Sequence, residues 1–161
     1  MLPALSGQSC GVTPAPDGDG ADAAKPFFPE NYRADYTLVR DCRFSSAHSS
    51  AMIRVWANDI AVDAYVNEEN PMPAGSILVK EEYVGTTCDD DELLQWRAMR
   101  KAVDVDDAAR VHGDGVDGDT WEWQRVTAAD RSVAENTKAT CIQCHSAPDC
   151  VARDYLCTEG P

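Results

Sequence analysis

The sequence has no run of about eighteen apolar residues, the length a helix needs to cross a bilayer, so no membrane span is expected. Positive charge is scarce. Fourteen Lys and Arg stand against 28 Asp and Glu, giving a formal net charge of -14. A surface of that sign repels phosphate backbones and anionic lipid, which discounts nucleic acid and membrane surfaces as partners. It suits a salty environment, high solubility or a basic protein partner; a well-solvated face is the plainer reading. Histidine occurs three times, and there is no second CxxC and no HxxxH pair. A four-ligand zinc site therefore lacks half its ligands. No internal repeat is present.

What the chain does have is cysteine. Seven in 161 residues are many for a cytosolic protein of this size, and they favour an oxidising, periplasmic or otherwise extracytoplasmic compartment. The first nine residues, MLPALSGQS, are too short and uncharged for a whole signal peptide, and read as the remnant of one or a misplaced start. Setting aside Cys10, Cys141 and Cys144 leaves four cysteines and three connectivities. The favoured pairing is Cys150 with Cys157, closing a short loop, and Cys42 with Cys88, linking two strand ends; buried free thiols are the alternative.

The length fits one domain plus a tail. Residues 1–26 are assigned to a disordered tail, since CGVTPAPDGDGADAAKP offers almost nothing to bury. Cys10 heads that linker as a lipid-acceptor cysteine would, but the preceding Gly-Gln-Ser departs from the lipoprotein pattern. The folded domain spans 27–161. Asp35–Arg40, Ala51–Ala57, Ser76–Val84 and Trp121–Val126 read as strands, and Leu93–Val103 fits helix or strand. In Ser76–Val84 the pleat sends Leu78, Lys80, Glu82 and Val84 to one side. Asp59–Val66 places Ile60, Ala61, Ala64 and Tyr65 at helical spacing, capped by Asn58 or Asp59. Asp114, Asp117 and Asp119 lie in an acidic, glycine-rich loop whose order does not match an EF-hand. Thr127–Asp130 resembles a capping box, so a helix is expected from about Ala128 towards the C-terminal cysteines. The fold class is α+β: a mainly antiparallel sheet, a short helix after the second strand, and a C-terminal helix carrying the motif discussed next.

That motif is CIQCH, residues 141–145. Two thiols one helical turn apart can each bond a haem vinyl group, and the histidine after the second then lies under the iron as axial ligand. A CxxC disulfide is the main competitor, although the βαβ setting of a thioredoxin-like motif is missing. The reading is one covalently held haem c per chain, attached through Cys141 and Cys144 and ligated by His145.

Four further segments then fall into a pattern. PENYRADYTLV, RVWANDIAVDAY, PAGSILVKEEY and GDTWEWQRV, followed by CIQCH, resemble in order and spacing the cytochrome P-460 and cytochrome c′-β family. The similarity covers most of residues 27–150. It implies a mainly antiparallel β fold, a homodimer, and a five-coordinate haem with an open or apolar distal side. Members of the first type oxidise hydroxylamine and carry a lysine-to-porphyrin bond; members of the second lack that bond and bind nitric oxide and similar gases. Lys80, in GSILVK, falls at the crosslinking position, with Lys101 a second candidate. The plainer reading of Lys80 is a surface lysine paired with Glu81 or Glu82.

Oxidation of hydroxylamine also needs a proton acceptor near the iron. Glu81, Glu82, Glu122 and Asp130 are candidates, each more often a solvated acid. His48, Met52, Met72, Met99 and His112 are candidate sixth ligands, Met52 foremost; any of them would make an electron carrier instead. Three functions are thus carried forward: a hydroxylamine-oxidising enzyme delivering electrons to a soluble redox partner, a gas-binding protein, and a six-coordinate electron-transfer cytochrome.

Overall fold

The computed structural model describes residues 24–48, 50–102, 120–134 and 137–157. Most of the proposed tail, the aspartates Asp114, Asp117 and Asp119, and His112 lie outside them.

One antiparallel sheet organises these residues. Its strands run in sequence order across the sheet: β1 (Thr37–Ser45), β2 (Ala51–Ala57), β3 (Ile77–Tyr83), β4 (Leu93–Lys101) and β5 (Trp121–Thr127). Strand β2 shows why the sequence pleats. Ala51, Ile53, Val55 and Ala57 are buried, while Met52, Arg54 and Trp56 between them are only half-buried. This is the two-residue period of a strand packed on a core. Each fully buried aliphatic chain of this kind stabilises the fold by roughly 1.5–3 kcal/mol.

Both faces of the sheet are covered. On one, Val55, Leu78, Met99 and Trp123 pack with Ala61, Ala64 and Tyr65 of α2 (Asp59–Val66) and with Ile142 of α3 (Thr137–His145). On the other, Val79, Trp96, Ala98 and Val126 pack with Phe28 and with Tyr32 of the short helix α1 (Tyr32–Asp35). A last short helix, α4 (Pro148–Val151), follows α3. Asn58 caps α2: its Oδ1 accepts from the backbone N–H of Ala61 at 3.2 Å and of Ile77 at 2.9 Å. One side chain thus starts the helix and ties it to β3, a contact of about 1 kcal/mol for the cap alone. Ile60, although at helical spacing, is half exposed; only Ala61, Ala64 and Tyr65 face inward.

Two expectations need correction, and one left open is resolved. The first strand begins at Thr37 because residues 32–35 coil into α1, closed by the Tyr36 N–H donating to the Tyr32 carbonyl at 2.7 Å. The ambiguous segment Leu93–Lys101 is a strand, hydrogen-bonded on both sides. No helix starts at Ala128. The Thr127 hydroxyl and Asp130 carboxylate do bond, but around a turn in which Arg131 has φ 56° and Val133 comes back to pair with Val126. Two disulfides close, in the favoured pairing: Cys42–Cys88 and Cys150–Cys157.

Candidate functional site

A cavity of about 180 Å³ lies between α3 and the face of the sheet that α2 also covers. Its sheet wall is largely apolar, with Ile53, Val55, Leu78, Met99 and Trp123. Lys80 enters from the middle of β3 beside Leu78, as the pleat predicts. From α3 come Cys141, Cys144 and His145. Lys80 lies more than sixty positions before the other three in sequence, yet all four line one space.

His145 is buried at the end of α3. Its Nδ1 lies 2.6 Å from the backbone carbonyl of Tyr155. A carbonyl only accepts, so Nδ1 carries the hydrogen and Nε2 keeps its lone pair. The indole of Trp123 meets the imidazole edge-on, 4.8 Å between centroids. Burial, aided by the positive charge of Lys80, lowers the pKa of His145 to about 4, which keeps the ring neutral at ordinary pH. A neutral imidazole with one nitrogen tied to a carbonyl is the arrangement of a metal-ligating histidine.

Cys141 has a free thiol, half-buried, so the CxxC pair is not closed on itself. Burial raises its pKa, and Arg97 and Lys80 act in the opposite direction. Cys144 is disulfide-bonded, so a thioether there requires the reduced thiol. Among the described residues no three His, Cys, Asp or Glu side chains converge as a metal cluster would need, which leaves the zinc reading without ligands.

Lys80 pairs with neither Glu81 nor Glu82. Its Nζ lies 2.6 Å from Nε2 of His48, whose Nδ1 is 2.9 Å from the Ser45 hydroxyl. Burial lowers the pKa of Lys80 to about 8, with the carboxylate of Glu82 working against that shift. Burial, then the charge of Lys80, lowers His48 to about 2.

The other candidates divide clearly. Met99 lines the cavity; Met72 is buried in the core without reaching it, and Met52 lies on a β2 position whose side chain does not line it. Met52 therefore loses its place as foremost sixth ligand, because Ile53 and Val55 occupy the cavity-facing positions of β2. Lys101 is not in the cavity either: its Nζ is buried against both oxygens of Asp154, at 2.8 and 2.7 Å. Of the candidate bases, Glu81 is buried on the opposite face, held by Tyr32, Tyr83 and Arg33. Glu122 pairs with Arg100, and Asp130 sits in the exposed turn. Glu82 is buried on the cavity side of β3, but Arg97 Nε (2.8 Å) and Gln95 Nε2 (2.5 Å) take its oxygens.

One contributor escapes sequence reading altogether. Arg43 lines the cavity, and its Nε is buried with no hydrogen-bond partner. Register shifts in β1, on either side of Arg40, place Arg40 opposite Val55 and Arg43 opposite Ile53. Cross-strand partners share a face, so the bulges turn Arg40 to the inward face that alternation from Thr37 and Val39 already gives Arg43.

Haem fits this donor set. A histidine whose Nδ1 is tied to a carbonyl, two cysteines on the same helix, an apolar slot, and an arginine with a buried, unpaired Nε suited to a carboxylate all line one space. Compared with known proteins, the chain matches the family model described as Cytochrome P460 over residues 29–158. No curated protein matches it.

Proposed function

The chain belongs to the cytochrome P-460 family, and from that premise we propose that it is an exported haem c protein that oxidises hydroxylamine and passes the electrons to a soluble acceptor. Haem, when bound, supplies an iron that exchanges electrons with a small nitrogen compound. The chain's residues supply the rest. His145 offers Nε2 as the axial donor. Cys141 and the reduced thiol of Cys144 hold the porphyrin edge. Arg43 would offer its unpaired Nε to a carboxylate.

Lys80 is the one lysine in the cavity wall, and that observation carries the enzymatic reading over the others. A half-buried amine with pKa about 8 is partly neutral near physiological pH, so it would offer a lone pair to a porphyrin carbon, the displaced hydrogens being removed by an external two-electron oxidant such as a peroxide. Bonding would also change its neighbour. His48 is held unprotonated partly by the ammonium 2.6 Å away. Loss of that positive charge raises the proton affinity of His48 and leaves a proton acceptor on the open side of the cavity. Crosslinking and base activation are then one event. The acidic surface, net charge -14, suits a basic electron acceptor.

A second reading has its own support. Lys80 and His48 already satisfy each other, and a chain in which that pair persists has neither crosslink nor free base. It would bind nitric oxide or carbon monoxide without turnover.

The test is the optical spectrum of the ferrous protein made with a c-type maturation system, followed by addition of hydroxylamine. The enzymatic reading expects a high-spin spectrum with a strongly red-shifted Soret band that Lys80→Ala abolishes, and turnover with hydroxylamine. Ordinary high-spin c-type bands, unchanged in Lys80→Ala, would replace it with gas binding. Sharp low-spin bands would mean a protein sixth ligand, with Met99 the first residue to substitute.

A further inference from the structure

The segment after α4 is held in an unusual shape. Asp154 and Tyr155 are successive non-glycine residues with φ 52° and 67°. The Cβ of a non-glycine residue crowds its carbonyl in this left-handed region, so the surroundings must impose the conformation. They do so through Asp154. Its carboxylate is buried and accepts from Lys101 Nζ (2.8 and 2.7 Å) and from the backbone N–H of Met72 (2.8 Å). Its carbonyl accepts from the indole N–H of the fully buried Trp121 at 2.9 Å. Two further ties flank it: Asn70 Nδ2 donates to the Ala152 carbonyl at 2.8 Å, and Cys150 is bonded to Cys157.

All of this acts on one atom of consequence. The next residue's carbonyl, that of Tyr155, takes the Nδ1 hydrogen of His145 at 2.6 Å. A short bond there selects the tautomer, aims Nε2 at the cavity and makes the imidazole a stronger donor. Neither Asp154 nor Lys101 lines the cavity.

We propose that Asp154, clamped by Lys101 and Trp121, is the positioning residue that fixes the Tyr155 carbonyl on His145 and thereby sets the donor strength of the axial histidine. The inference rests on the haem reading above for its consequence, and on the geometry alone for its cause. A weaker hydrogen bond leaves a poorer imidazole donor, so the ferric state is less stabilised and the reduction potential rises.

The experiment uses the haem-loaded full chain and its Asp154→Asn and Lys101→Met variants. Mass spectrometry first establishes that the covalent haem is retained. Both variants are expected to raise the reduction potential and to speed hydrogen exchange at His145 Nδ1, followed by nitrogen-labelled NMR. A wild-type potential together with wild-type exchange in a folded Asp154→Asn protein overturns the proposal. If that variant does not fold, Trp121→Phe, which removes the bond to the Asp154 carbonyl together with part of the ring that Lys101 Nζ lies over at 5.2 Å, decides by the same two measurements. Should the wild-type chain take up no haem, the functional reading fails. The exchange rate at His145 in the haem-free chain then still decides the clamp: faster in Asp154→Asn supports it, unchanged overturns it.

Discussion

The Lys80 amine lies 2.6 Å from Nε2 of His48, and its charge holds down the proton affinity of that ring. Burial is the first cause of the lowered pKa in both groups, and the charge of Lys80 adds to it for His48. Replacing Lys80 by Met leaves the burial but removes the charge. The His48 ring is therefore expected to titrate at higher pH in Lys80→Met than its wild-type value of about 2, read from its ring-carbon shifts by NMR in the haem-free chain. A His48 that titrates identically in both proteins would mean that charge coupling plays no part, and the link between crosslinking and base activation would fall.

The same pair sets a stability window on the alkaline side. Lys80 has a pKa of about 8 in the fold against an ordinary 10.5. Between those values the unfolded chain holds the extra proton, so this group makes the fold more stable as pH rises from 8. Tyr32 and Tyr83, whose phenols burial pushes above their ordinary 10.0, act oppositely beyond pH 10, because there the folded chain holds more protons. From pH 8 to 10 the unfolding free energy of the haem-free wild type should gain about 2 kcal/mol relative to Lys80→Met. Urea unfolding at four or five pH values measures it, and parallel curves would contradict the assignment.

Glu81 and Glu82 are neighbours with separate duties, because the pleat sends them to opposite faces. Glu81 is fully buried away from the cavity, with Tyr83 Oη at 2.6 Å and Arg33 Nε at 2.5 Å. Glu81→Gln takes the buried anion from Arg33, which keeps only the exposed Asp90 carboxylate at 2.7 Å, and leaves Tyr32 and Tyr83 without a charged acceptor. It is expected to cost about 3 kcal/mol, at the lower end for a broken buried pair, without moving the haem spectrum. Glu82→Gln frees Arg97, which touches Cys141 and lines the cavity, and should shift the Soret band. A spectral change in Glu81→Gln of the same size would put Glu81 back among the candidate bases.

How far the sequence reveals this site depends on the kind of order involved. The two-residue period exposes β2, β3 and β5, and it correctly puts Lys80 and Leu78 on the cavity wall, because those strands are regular. It fails at β1, where register shifts put Arg40 on the inward face alongside Arg43. Helical spacing finds α2 but assigns Ile60 to its buried face, since a helix of eight residues on a sheet buries a narrow stripe. Lys101 shares the inward face of β4, yet meets Asp154, fifty-three positions away, through a left-handed turn that no local pattern announces. The Tyr155 carbonyl is invisible for a simpler reason: a backbone acceptor has no residue type.

Cys42–Cys88 joins β1 to the loop after β3 across 46 residues. Closing a loop of that length restricts the unfolded chain by about 4 kcal/mol. The double variant Cys42→Ser/Cys88→Ser should lose close to that amount, seen as a lower urea midpoint with an altered denaturant slope from the freer unfolded chain. The bridge lies outside the cavity lining, so the spectrum should not move. An unchanged midpoint would show that the bond does not form in the native protein.

Arg43 gives the sharpest contrast between the haem-free and haem-loaded chain. Its Nε is buried without a partner, a group that destabilises a fold by about 1–3 kcal/mol when left unpaired. Arg43→Met fills similar volume without the unsatisfied donor, so the haem-free chain should unfold at equal or higher temperature than wild type. In the haem-loaded chain the same substitution removes a cation suited to a haem carboxylate, and the Tm should fall. Opposite signs in the two forms, measured by calorimetry, would tie Arg43 to the cofactor. A fall in both would make it a structural residue whose partner is elsewhere, and a rise in both would mean that the carboxylates of the haem do not point towards β1.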